Sequence, residues 1–329
     1  MVESSDYQLW RVRETVRATT FYSSDALNEL LKLDVTIASE AFQHTGSFKF
    51  RAAYCAALNS TSDHLLTASS GNFGAALACA ARMLGKKCTV VMPDSSARVK
   101  IEAVKSYGAS VELIDVAKIS RAERVRQLAE TSGDKSGDRT GDKNSDTIDV
   151  LSAYDDLRVI AGNSTLGEEL AEAKESGRDF DCVVAPMGGG GLTAGIIEGL
   201  RRKHCAVEVF AAEPLAGDDG CRSLAAGHII ANEREPATIA DGARTISLGK
   251  HNFAILQKSL TQAISVSDTL TEEAVRLLFN INLKAEPTGA LALGALLAHA
   301  EVFAGRKPLI VISGANVDAA VYAGILLKT

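Results

Sequence analysis

The sequence predicts an α/β protein built on largely parallel sheets, on three observations. Short β-branched runs alternate with helix-like segments along the chain, the order that parallel strands joined by crossover helices produce. Several strand-like runs are apolar, as in CTVVMP (88–93) and KPLIVISG (307–314), which suits strands covered by helices on both faces. A run of four glycines, in APMGGGGLTAGIIEGL (185–200), follows one such strand and opens a helix.

Taken in order, Thr67 and Ala68 close a strand-like segment, and the alanine-rich stretch after Ser69-Ser70-Gly71-Asn72 reads as a helix. CTVVMP is a strand ended by proline, KIEAVKSYG (100–108) a helix stopped by Gly108, and SVELID (110–115) a strand. RAERVRQLAE (121–130) is helical, with its charges on one face. Residues 132–143 read SGDK-SGDR-TGDK, a quasi-repeat of small and charged residues that buries nothing and is expected to be a surface insert. FDCVVAP (180–186), GLTAGIIEGLRRK (191–203) and VEVFAAEP (207–214) continue the strand–helix–strand order, and KPLIVISG is the last strand.

A chain of 329 residues, 46% hydrophobic and 23% charged, is long enough for a large core in one or two domains. Its net charge of −6 and the lack of a basic stripe argue against a nucleic-acid partner and fit a small-molecule substrate. The six cysteines form no CxxC and no close cluster, so they read as reduced core residues. No signal-peptide pattern opens the sequence and no apolar run reaches membrane-spanning length, so a cytoplasmic protein is expected.

Four stretches carry chemistry. In QHTGSFKFRAA (43–53), Lys49 stands between Phe48 and Phe50. It is either a snorkelling surface lysine or a partly desolvated amine whose lowered pKa makes it a nucleophile. Gly188 to Gly191 at a helix N-terminus form a cradle of N–H groups suited to a single phosphate; neither the GxGxxG nor the GxxxxGK[ST] pattern is present. The polar turn at Ser69-Ser70-Gly71-Asn72 either caps a helix or holds a carboxylate or ring oxygen. In LIVISGANVD (309–318), Ser313 lies at the carboxyl end of a strand, where ligands of open parallel sheets bind, or else caps the next helix.

These motifs, in this order, resemble the pyridoxal-phosphate enzymes of fold type II, the tryptophan-synthase-β-like group, and within it the serine/threonine dehydratase and serine racemase branch. The resemblance extends over VMPDSSARVKIEAVKSYGASVELID (91–115), DDLRVIAGNSTLGEEL (155–170), AAEPLAGDDGCRS (211–223), TIADGAR (238–244) and EPTGALALGA (286–295). It implies two domains, each a largely parallel sheet covered by helices: a large one of 1–52 and 150–329 and a small mobile one of 53–149. It implies that Lys49 holds pyridoxal 5′-phosphate as a Schiff base and that Phe48 packs beside the ring. Asn72 would bond the ring hydroxyl, Gly188, Gly189, Gly190, Gly191 and Leu192 would hold the phosphate, and Ser313 would contact the pyridine nitrogen. Ser69, Ser70 and Gly71 would meet the substrate. Ser70 would also be the second acid–base group, on the cofactor face opposite Lys49. Arg121 would approach the substrate carboxylate, or else be a solvent-facing helical arginine. The segment EPLAGDD implies Mg²⁺ or Ca²⁺ held by Glu213, the Gly217 carbonyl and Asp219, the alternative being a solvated acidic turn.

The resemblance further implies β-elimination from L-threonine or L-serine, giving a 2-oxo acid and ammonia. Serine racemase and 3-hydroxyaspartate dehydratase are the alternatives within the group. A phosphate-ligand sensor without catalysis is the alternative of another class. A homodimer is expected from base rates alone. Two departures touch the pocket. Phe73 stands where many relatives carry His, and Ser152-Ala153-Tyr154-Asp155-Asp156-Leu157 stands where they read HPYDDP.

Overall fold

The structure is a computed structural model that describes residues 7–69, 71–96, 98–133 and 147–328. In chain order it comprises α1 (Leu9–Thr15), β1 (Thr20–Tyr22), α2 (Asp25–Leu31), β2 (Thr36–Ser39), α3 (Lys49–Leu58), β3 (His64–Ala68), α4 (Asn72–Leu84) and β4 (Lys87–Pro93). Then come α5 (Arg98–Ser106), β5 (Ser110–Ile114), α6 (Arg121–Gly133), β6 (Ile148–Val150), α7 (Leu157–Glu175), β7 (Cys182–Pro186), α8 (Gly191–Arg202), β8 (Glu208–Pro214) and α9 (Asp219–Ala226). The last elements are α10 (Lys250–Ser259), β9 (Gln262–Val266), α11 (Asp268–Asn280), α12 (Pro287–Ala298), β10 (Pro308–Ile312) and α13 (Ala319–Leu326). The strands and helices expected from the sequence between 67 and 314 coincide with these elements. Most of the SGDK quasi-repeat lies outside the described residues, and so does Ser70.

Two sheets organise the molecule. The larger has the order β1-β2-β10-β7-β8-β9 and the smaller β5-β4-β3-β6. Every pairing is parallel except β1 with β2. The β7 and β10 strands are buried at every residue, which explains why their sequences do not alternate. One face of the larger sheet packs against α11 and α12, with Val184, Phe210, Ile310 and Leu293 in one core. The other face packs against α7 and α8 through Val183, Val311, Leu166 and Ile196. Helix α12, PTGALALGALLA, is buried through its first ten residues, as expected of a helix apolar all round.

Parallel strands deliver their connecting loops to one edge, the carboxyl end. That edge of the larger sheet carries the turn after β2 that leads into α3, Ser313 after β10, the glycine run after β7 and the 3-10 turn Leu215–Gly217 after β8. The smaller sheet delivers Ser69 after β3 and residues 151–156 after β6. The two sets of loops meet: the Lys49 amine donates to the Ala153 carbonyl at 2.9 Å, and the Asn72 amide to Glu286 at 2.8 Å. All six cysteines are free thiols. Among the described residues no helix is long and apolar enough to cross a membrane.

Candidate active site

Lys49 is the first residue of α3, and the segment before it is tied to the end of β10. Glu40 N–H donates to Ile312 O, Ser47 bridges to Gly314, and Phe48 N–H donates to Ser313 O, the first and last bonds at 2.9 Å. This places the lysine beside Ser313, although the two lie far apart in sequence. The Nζ atom sits 5.0 Å from the Phe48 ring centroid and 5.9 Å from that of Phe73. Its hydrogen-bond acceptor is a neutral carbonyl, that of Ala153. Enclosure of the amine lowers its pKa to about 8, with the Glu286 charge pulling the other way. Of the two readings open in the sequence, the partly desolvated amine is the one the geometry favours.

The glycine run turns from β7 into α8. Gly190 has φ 89°, the left-handed region open to glycine. A Cβ on Gly189 would overlap the Tyr154 ring, and one on Gly188 would lie 2.9 Å from Ala243 Cα. Side chains tie the loop down from behind. Asn252 Nδ2 donates to Gly189 O at 2.6 Å and to Tyr154 O at 3.0 Å, and Asn163 Nδ2 donates to Gly191 O at 3.0 Å. The first N–H groups of α8 have no intrahelical acceptor, so the loop presents donors and the positive end of a helix together. Leu192 is buried in the first turn.

Two further observations fit a phosphorylated ring. The Ser313 hydroxyl is buried without a hydrogen-bond partner, and so is that of Ser47. A buried hydroxyl left unpaired is costly, so an acceptor or donor from a bound group would satisfy it. Asn72 opens α4 and turns its carboxamide toward Glu286 and Asn316. Ser69 Oγ accepts from the N–H groups of Gly71 and Gly74, at 3.3 and 3.1 Å, so it caps α4.

Arg121 begins α6 and pairs with Glu235, and its charge also reaches the Tyr154 hydroxyl. Among the described residues no hydrogen bond or ion pair joins it to Lys49 or to the glycine run. A second ion pair, Lys100 with Asp241, lies close by: both charges act on Glu286, and the turn Asp241–Ala243 packs on Gly188.

Glu213 is the penultimate residue of β8 and Asp219 opens α9, and both are buried. Glu213 accepts from the N–H groups of Gly220 and Cys221 at 3.1 and 2.5 Å, and Asp219 accepts from Asn232 at 2.8 Å. Burial pushes Glu213 up to about 7 and Asp219 up to about 6, and the Asp219 charge adds to the rise at Glu213. The second Asp219 oxygen, Oδ2, has no partner. Among the described residues no three of His, Cys, Asp and Glu gather as a metal group. The expected set, two carboxylates and the Gly217 carbonyl, fits a hard cation that completes its shell with water.

Sequence reasoning singled out the segments that hold Glu286 and Tyr154 but assigned no role to either, nor to Asn252 or the Ala153 carbonyl. One signal was available for Glu286: it directly precedes Pro287 and an all-apolar helix, so its carboxyl enters the interior with the helix N-terminus. Main-chain carbonyls carry no such mark.

Comparison with known proteins finds relatives along nearly the whole chain. The family described as pyridoxal-phosphate dependent enzyme matches residues 12–314. The L-threo-3-hydroxyaspartate ammonia-lyase of Saccharomyces cerevisiae is 33% identical over 96% of this chain and 93% of its own length. The serine racemase of Schizosaccharomyces pombe is likewise 33% identical, over 96% and 94%. Among solved structures, a threonine deaminase from T.th. superposes with a TM-score of 0.85 at 36% identity, covering 95% of this chain and 98% of that one.

Proposed function

The chain belongs to the pyridoxal-phosphate-dependent enzymes of fold type II, and from that premise we propose that it is an ammonia-lyase acting on a β-hydroxy amino acid. The observation that carries this reading is the half-buried Lys49 amine, whose pKa desolvation lowers to about 8, next to the strand end that carries Ser313. When bound, pyridoxal phosphate supplies an electron sink that acidifies the substrate Cα–H bond. The backbone N–H groups of Gly188 to Gly191 and Leu192 bind the phosphate. Asn72 holds the ring hydroxyl, and Ser313 gives the ring nitrogen a neutral partner, which disfavours a long-lived carbanion. Phe48 packs beside the ring. Lys49 Nζ takes the Cα proton, the Cβ–O bond breaks, and the β-hydroxyl leaves as water, so that the proton lost from Cα balances the one gained by the leaving group. Hydrolysis of the resulting enamine gives a 2-oxo acid and ammonia. Ser69, Ser70, Gly71 and Arg121 are the proposed substrate contacts, although the Ser69 hydroxyl already accepts two backbone N–H groups.

L-serine and L-threonine are the first substrates of this reading. A second reading, L-threo-3-hydroxyaspartate, draws support from the name of the yeast relative and from Lys100 and Arg121, whose ion pairs with Asp241 and Glu235 join 98–133 to the segment 235–241. A β-carboxylate would compete with Asp241 or Glu235 for one of these cations. Racemisation needs a proton donor opposite Lys49, and Ser70 is the proposed one. Glu213, Asp219 and the Gly217 carbonyl hold Mg²⁺ or Ca²⁺ in this reading. A cytoplasmic homodimer, with 53–149 as a smaller mobile unit that closes on the substrate, completes the proposal.

The test is a panel of L-serine, L-threonine and L-threo-3-hydroxyaspartate, following both 2-oxo acid and product enantiomer, with peptide mapping after borohydride reduction. A cofactor adduct on the Lys49 peptide and 2-oxo acid from at least one substrate are expected. An adduct on another lysine, or racemisation without any 2-oxo acid, overturns the reading.

A further inference from the structure

Glu286 is a buried carboxyl that the reaction described above does not use. It precedes Pro287 at the start of α12 and is 3% exposed. Its own N–H donates to Gly314 O at 3.1 Å, which pins it to the loop that carries Ser313. A Cβ at Gly314 would lie 2.8 Å from Glu286 Oε1 and 2.8 Å from Ser47 Cβ, so position 314 leaves room for the carboxyl and little else.

The hydrogen bonds around it orient one another. A main-chain carbonyl can only accept. Asn316 meets the Thr45 carbonyl at 2.6 Å, so the atom facing Thr45 is its nitrogen, Nδ2. That same Nδ2 lies 2.9 Å from Asn72, so the Asn72 atom facing it is the acceptor, Oδ1. The Asn72 nitrogen must then point the other way, and there it donates to Glu286 Oε1 at 2.8 Å. Both Asn316 N–H bonds are used by Thr45 and Asn72. One Asn72 N–H is used by Glu286, and its second remains for a ligand.

We infer that Glu286 is a positioning residue for the cofactor ring: it fixes the Asn72 carboxamide in one orientation and so leaves one amide N–H directed to the ring hydroxyl. The inference rests on the proposed role of Asn72. Glu286 also joins the loop after β3 in the smaller sheet to the strand end that carries Ser313 in the larger, so one carboxyl registers two contacts to the ring. Burial pushes its pKa up to about 8, with the Asp241 charge adding and Asn72 and Lys100 opposing. Glutamine keeps a carbonyl acceptor at the same reach and is the closest substitute for the carboxyl.

The test measures pyridoxal-phosphate affinity and the visible absorbance of the bound cofactor. The proteins are the wild type, Glu286→Gln, Glu286→Ala, Asn72→Ala and the Asn72→Ala/Glu286→Ala double variant. Losing one acceptor should weaken affinity by roughly tenfold in Glu286→Ala and shift the absorbance band. Glu286→Gln, which keeps a carbonyl acceptor, should stay within about threefold of wild type. In the Asn72→Ala background, removing Glu286 should cost little more, because the two act as one unit. If Glu286→Ala does not fold, Glu286→Leu, similar in bulk and without an acceptor, replaces it. Full additivity with Asn72→Ala, or equal losses in Glu286→Gln and Glu286→Ala, overturns the inference. A wild type that forms no adduct at Lys49 overturns the function reading instead.

Discussion

Lys49 and Arg51 stand two residues apart in α3; Arg51 is fully buried and Lys49 half-buried, and both charged groups are desolvated. Arg51 is fully buried, with Glu40 at 2.7 Å, Glu169 at 2.7 Å, and the hydroxyls of Thr19 and Thr165 completing its bonds. Burial alone would lower its pKa, but Glu40 and Glu169 outweigh that, and the guanidinium stays charged. Lys49 has one carbonyl and two aromatic rings around its amine. There desolvation dominates and the pKa falls to about 8. The same helix turn thus holds a structural tie and a reactive amine. The difference lies in the counter-charges, since an enclosed cation with two carboxylates remains an ion and one without them becomes a base.

Removing the reactive member should have the largest effect. Lys49→Ala is expected to lower turnover by roughly 10³-fold or more while circular dichroism stays native. Retained turnover would mean that another group moves the Cα proton. The structural member should behave in the opposite sense. Arg51→Leu leaves Glu40 and Glu169 buried and unpaired, which costs about 3–5 kcal/mol. Urea unfolding should show that loss, and a shift below about 1 kcal/mol would remove Arg51 from its assigned role.

The pH dependence of the cofactor-free protein sharpens the contrast. The pKa of Lys49 is depressed in the fold, so its contribution to stability is full above the ordinary lysine value and is lost as pH falls toward about 8. Replacing it by methionine should therefore stabilise the protein at pH 7. That advantage should shrink by on the order of 3 kcal/mol between pH 8 and 10.5. Glu286 works the other way: its pKa is raised, so its contribution is present below the usual carboxylate range and is lost as pH rises toward about 8. Glu286→Gln should flatten that second slope. Stability curves for the two variants that run parallel to wild type would contradict both assignments.

The smallest expected effect lies outside α3, where Glu213 and Asp219 repeat the lesson with negative charges. Burial pushes these carboxyls up to about 7 and about 6, and at Asp219 it outweighs the opposing charge of Arg222. A divalent ion bound only to the native state should raise the melting temperature, by about 1–3 kcal/mol of linkage at saturating metal. Melting curves with Mg²⁺, Ca²⁺ and chelator measure this, and curves that superimpose would exclude the site. Glu213→Gln should abolish the metal response while it lessens the carboxyl repulsion.

Much of this was legible in the sequence. The glycine run, the SSGN turn, the TGSFKFR segment and the SGAN strand end each carry a local signature, because tight turns and strand ends demand particular residues. Unbroken apolar strands announced parallel sheets. The Asn316–Asn72–Glu286 chain was not legible, since its members lie 30 to 244 residues apart and each is an ordinary polar residue in its own segment. The Ala153 carbonyl is invisible for a different reason: every residue has one.

The order of elements, the residue types at each strand end and the presence of a lysine between two phenylalanines follow from the sequence by itself, because local geometry and burial are written in local composition. The state of that lysine was decided only by the tertiary structure. A pKa depends on which charges and how much water surround the amine in three dimensions. The residues that exclude water from Lys49 and set its counter-charge come from four separate parts of the chain: Phe48, Phe73, Ala153 and Glu286.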